Sequence, residues 1–184
     1  MKFLFISFFM SAVPFCCFAQ YDYAENSIIA TSSYRLKIVK LDASRLYYTD
    51  CDNPYNDIVS TSSNPNRHRN DDGMWDMDYS RLAKLDQNDM NKRVAAIFKD
   101  ELPCLKTTFD GRGHIWFQIH TDSVGKFING LVVIWADAED YSRISPEKLA
   151  RLYELASQMS LGVPEDYRDI SSHHFYYMVP FRDL

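Results

Sequence analysis

The sequence predicts an α+β fold in which a small antiparallel sheet carries packed helices. Three stretches predict it. Arg112 to Trp135 holds two runs of β-branched and aromatic residues around a short polar segment with a glycine near its end, the pattern of a hairpin. Ser145 to Gly162 carries helix start and stop signals. His173 to Phe181 alternates as a half-buried strand does. With a helix ahead of the hairpin, the order in residues 90–184 is α-β-β-α-β. A helix returning over an antiparallel hairpin buries the apolar face of each.

The chain has 184 residues, the size of one domain or of a domain with an extension. Residues 1–19 read as a cleavable signal peptide. Lys2 supplies the positive charge, Phe3 to Phe15 the apolar core, and Cys17 and Ala19 the small residues before the cut. The stretch is short for a span of about 20 apolar residues, so no stable membrane anchor is expected after cleavage. The expected location is periplasmic or secreted. Cleavage leaves Cys51 and Cys104 as the mature cysteines. In an oxidising compartment the two either form one disulfide or pack as free thiols, and the bridge is the expectation carried forward.

Residues 20–89 read as an N-terminal extension. Residues 20–33 show no period and imply a loosely held start. Tyr34 to Leu41 alternates, with Leu36 and Ile38 on one side and Arg35, Lys37 and Val39 on the other, which predicts a strand. Leu46 to Tyr48 predicts a second, shorter one. A polar loop over 50–73 follows, rich in Asn, Asp, Ser and Pro. Asp71, Asp72, Asp76 and Asp78 lack the closing Glu of an EF-hand, so they read as a solvated acidic loop.

The domain proper runs from 90 to 184. Asp89 reads as the N-cap of a helix over Met90 to Leu102, with Val94, Ile97 and Phe98 as its buried stripe and Pro103 as its stop. In the hairpin, Ile115, Phe117 and Ile119 face the core, while His114, Trp116, Gln118 and His120 face away. The second run is more uniformly apolar and predicts the more buried strand. Ser145 caps the next helix, Pro146 takes its first position, and Ile144 staples onto Leu149. Gly162 is the expected stop. In the last strand, Pro180 lacks an amide hydrogen and so points its nitrogen at a sheet edge.

Gly111 to Phe181 resembles the C-terminal domain of TonB proteins. Gly113 enters the strand, Asp122 to Gly125 makes the turn, Leu149 to Met159 supplies the helix, and Met178-Val179-Pro180-Phe181 the ending. Leu102-Pro103 stands where that family has a Tyr-Pro pair, and the long Pro-rich linker is missing. The resemblance implies a fold and a binding style rather than a transport role. The cleavage site and the composition also resemble uncharacterised secreted proteins of gut Bacteroidetes.

A net charge of −5 argues against general nucleic-acid binding. There is no Gly-x-Ser-x-Gly motif and no phosphate-cradling glycine loop. His114 and His120 stand roughly 20 Å apart on an extended strand and cannot share a metal unless a bulge intervenes. His174 is a candidate to join one of them with Asp122 in a zinc site, against a plain reading as solvent-side polar residues. The carboxylates Asp137, Glu139 and Asp140, and Glu165-Asp166, fall in polar connections. Trp116, Trp135, Tyr176 and Tyr177 form either a binding platform or ordinary cross-strand pairs. The expected function is therefore a non-enzymatic domain of the bacterial cell envelope that binds a protein or peptide, with no cofactor and no metal. The alternative is a secreted hydrolase or glycan-acting protein using the sheet histidines and the 50–73 loop.

Overall fold

The computed structural model describes residues 20–56, 87–99, 113–136 and 141–184. Residues 1–19, most of the polar loop with its acidic group and His68, the expected Leu102–Pro103 stop, Cys104 and the carboxylates at 137–140 lie outside the described residues. Within them the fold is α+β. The strands are β1 (Ile28–Ala30), β2 (Arg35–Asp42), β3 (Arg45–Asp50), β4 (His114–Asp122), β5 (Phe127–Trp135) and β6 (Ser172–Pro180). The helices are α1 (Gln87–Ile97) and α2 (Pro146–Ser157). The strands form one six-stranded sheet in the order β1-β2-β3-β5-β4-β6. Each pairing is antiparallel.

Alternation decides which face each strand buries. Ile115, Phe117 and Ile119 are fully buried, and Leu36 and Ile38 of β2 join them. Val94 within α1 and Phe98 just after it, and Leu149, Leu152 and Tyr153 of α2, complete that core. The helices therefore cover one face of the sheet. No helix among the described residues is long and apolar enough to cross a membrane.

The sheet runs across residue 90. β3 pairs with β5 from Arg45↔Trp135 to Tyr48↔Val132, so strands from both halves of the chain share one ladder. The start of the chain is held more firmly than its sequence implies. The Tyr21 amide donates to Ser142 O at 2.7 Å, and the buried Tyr23 hydroxyl donates to Ile144 O. Both partners are distant in sequence, which is why local periodicity shows nothing there.

Three helix boundaries differ from expectation, one of them the end of α1, which stops at Ile97 rather than at Leu102. α1 begins at Gln87, so Asp89 sits in its first turn, where its charge complements the helix dipole, rather than at the N-cap. α2 starts as predicted, with the Ser145 side chain accepting from the Lys148 amide at 3.4 Å and Ile144 and Leu149 both buried. It stops at Ser157 with Gln158 as the C-cap, well before Gly162. The chain leaves the helix to pair with the hairpin turn: the Leu161 amide donates to Gly125 O at 2.8 Å, and Lys126 bridges Ser160.

Candidate functional site

The face of the sheet opposite the helices carries the alternate residues of β4 and β6. Aromatic rings gather at one end of it. His114 lies 4.8 Å from Trp135, Trp116 meets Trp135 edge-on at 5.9 Å, and Trp116 lies 6.1 Å from Tyr176. The Arg45 guanidinium stands over the Trp135 ring at 5.2 Å, a cation–π contact. Three of the expected platform residues thus come together. Tyr177 does not join them, because it sits opposite Phe117, whose side chain faces the helices.

The histidines divide in the same way. His120 faces His174 directly across the β4–β6 ladder, with ring centroids 5.9 Å apart. His114 stays at the aromatic end, and His173 turns to the covered side, opposite Thr121. Asp122 does not complete a metal triad with His120 and His174. Its Oδ1 accepts from the amides of Val124 and Lys126 at 3.0 and 2.8 Å, which commits it to the hairpin turn. Among the described residues the metal-ligating atoms that converge are those of Asp50, Cys51 and Asp52, within 4.8 Å. That group is turn architecture: Asp52 pairs with Arg35 at 2.8 Å, and its amide donates to Asp50 Oδ1 at 3.2 Å. Cys51 forms no disulfide within the described residues, and burial together with the neighbouring Asp52 pushes its thiol up. Of the two carboxylates before β6, Glu165 lies 3.9 Å from Arg168 as an ion pair.

Burial holds two of these imidazoles below the usual range. His120 is lowered by burial and then by His174. His173 is lowered by burial, which the Ser123 backbone, Asp122 and Asp169 only partly oppose. Neither ring nitrogen of His173 makes a hydrogen bond of normal geometry. The unfolded chain takes up protons at these sites below about pH 6.5, whereas the folded protein takes them up only at lower pH. Stability is therefore expected to fall as pH drops through about 6.5, above the range where carboxylates titrate. Urea midpoints measured between neutral and mildly acid pH check this. His173→Leu should flatten the slope, and a midpoint constant over that range would refute the expectation.

Among the described residues, β6 is the last strand of the sheet on its side. The Phe181 amide donates inward to Gly113 O at 2.9 Å. Antiparallel pairing then alternates, so the amides and carbonyls of His174, Tyr176 and Met178 point outward, away from β4. Pro180 shares that parity, so its missing N–H costs the β4 ladder nothing. Tyr176 and Met178 are 58% and 45% exposed. The strand has no Lys, Arg, Asp or Glu between Ser172 and Pro180. Edge strands are commonly guarded by such charges. The opposite edge, β1, is only three residues long.

A polar cleft opens elsewhere on the same face, where β3 and β5 separate. Lys37, Thr49, Asn56, Gln118, His120 and Leu131 are among its lining residues. Sequence reasoning did not single out Lys37, Thr49, Asn56 or Leu131. Each looks ordinary in its own segment, and only the sheet order brings them together.

No family model matches the chain, and no curated protein matches it. Among solved structures, the chain is similar to a DUF5043 family protein from Bacteroides uniformis ATCC 8492, with a TM-score of 0.62 and 10% identity over 88% of each chain. At that identity the likeness is one of fold: the sheet and helices of this chain follow the architecture of that Bacteroides protein.

Proposed function

We propose that this chain is an exported, non-enzymatic domain of the bacterial cell envelope that binds an extended segment of a protein partner along β6. The carrying observation is the edge itself. It is nine residues long, without a charged guard, and presents outward amides at His174, Tyr176 and Met178. A peptide added there gains main-chain hydrogen bonds, while exposed Tyr176 and Met178 offer contacts to its alternate side chains. The resemblance of Gly111 to Phe181 to the TonB C-terminal domain supports the same binding style. A hydrolytic role has less support, since the cleft that holds His120 shows no carboxylate in its lining among the described residues.

Proline substitution tests the proposal. Met178→Pro removes an outward amide and no β4 ladder bond, as Pro180 already does, so the fold should survive with a nearly unchanged urea midpoint. Binding of the partner segment, captured from envelope extract and remeasured with purified components, should weaken roughly tenfold, the loss of one or two hydrogen bonds. Tyr177→Pro, of the opposite parity, should destabilise the domain by about 3 kcal/mol. Unchanged binding by a folded Met178→Pro protein would sink the proposal.

A further inference from the structure

The cleft between β3 and β5 is built rather than incidental. The two strands pair only as far as Tyr48 and Val132. Beyond that point side chains replace the ladder. Thr49 Oγ1 donates to Gly130 O at 2.7 Å, and Asn53 Nδ2 donates to Ile128 O at 2.9 Å. Asn129 Nδ2 donates to Tyr55 O at 3.1 Å and Asn56 Oδ1 at 3.2 Å. These bonds span the gap between the strands and pin the 51–56 turn at its mouth. The resulting cavity is ≈ 360 Å³, inside the range of small-molecule sites.

Its lining has a particular chemistry. Among the described residues, Lys37 is the one Lys or Arg in the lining, there is no Asp or Glu there, and no ion pair engages Lys37. An unpaired ammonium facing a cleft without carboxylates favours an anionic group. The remaining polar groups are neutral. Gln118 and His120 stand 3.4 Å apart, and burial keeps the imidazole uncharged, so it presents one donor and one acceptor. The Thr49 oxygen still has lone pairs to accept with. Such groups match hydroxyls. Val39 and Leu131 supply aliphatic surface for the C–H face of a ring. A phosphate or sulfate would call for more cationic donors, of which Arg is the usual choice.

From this set of groups we infer that the cleft binds a sugar acid: the carboxylate pairs with Lys37, and the ring hydroxyls bond to Gln118, His120 and Thr49. This site is separate from the β6 edge, and either can fail without the other.

Titration of the full mature chain with D-galacturonate, followed by amide chemical shifts, tests the inference. The expected result is saturable shifts at Lys37, Thr49, Gln118 and His120. Lys37→Ala should weaken binding roughly tenfold, as expected for loss of a charge-assisted contact. Gln118→Ala should weaken it several-fold. Both residues line an open cleft, and unchanged urea midpoints would show that the variants fold. Acetate and D-galactose are the controls. Absence of saturation with galacturonate would overturn the inference. So would equal shifts with acetate, which would mean a bare anion contact, or equal affinity for galactose, which would remove the carboxylate.

Discussion

Replacing Gly125 with alanine is expected to destabilise the protein by about 3 kcal/mol, from backbone strain of roughly 1–3 kcal/mol and the loss of a hydrogen bond worth about 1 kcal/mol. Gly125 closes the β4–β5 turn at φ +91°, a conformation that L residues with side chains adopt at a cost. Space is the second obstacle. A Cβ there would stand 1.7 Å from Leu161 O and 3.2 Å from Val163 Cγ2. The contact is with backbone, so no rotamer change relieves it. The turn must withdraw from the segment after α2, and the 2.8 Å bond from the Leu161 amide to Gly125 O goes with it. Urea unfolding measures the loss. Amide exchange should speed up first at Leu161, whose donor is exposed. A shift below about 1 kcal/mol would mean that the side chain is accommodated and that this junction contributes little.

Asn129→Leu should cost a comparable amount, about 2–4 kcal/mol, although it keeps the branching and the number of side-chain heavy atoms. Asn129 is 7% exposed and joins three elements. Its Oδ1 accepts from the Gly130 amide at 2.7 Å and the Tyr153 hydroxyl of α2 at 3.3 Å. Its Nδ2 donates to Tyr55 O and Asn56 Oδ1 in the 51–56 turn. Leucine leaves the buried Gly130 amide and Tyr153 hydroxyl without these hydrogen bonds, the situation that costs more than the bonds themselves contribute, while the exposed Tyr55 and Asn56 lose their tether. Tyr153→Phe, which removes one of these bonds, should cost only about 1 kcal/mol. Comparing the two by urea unfolding tests whether Asn129 works as a node. Asn129→Leu should also release the 51–56 turn, visible as faster amide exchange there, and so disturb the cleft. Equal small losses for the two variants would show that the node is not cooperative.

The local pattern determined a good deal. In β4 the burial of Ile115, Phe117 and Ile119 follows from alternation alone, because a pleated strand with one covered face must sort its side chains by parity. The start of α2 was equally legible: Ser145, Pro146, Ile144 and Leu149 act within one turn, so their effect is written in adjacent residues. The edge position of β6 was readable in Pro180, which has no amide to give a neighbour. What adjacent residues do not encode is which strand lies beside which. The pairing of β3 with β5, the anchoring of Tyr23 on Ile144 and the end of α2 ahead of Gly162 each depend on partners distant in sequence. The cleft belongs to the same class. Lys37, Thr49, Gln118 and His120 come from three strands and become neighbours only because β5 lies between β3 and β4. Propensity and periodicity act over a few residues, whereas strand order and side-chain hydrogen bonds across the sheet are settled when the whole core closes. The sequence alone therefore determined the faces of the strands, and the tertiary structure decided which of those faces meet to make a site.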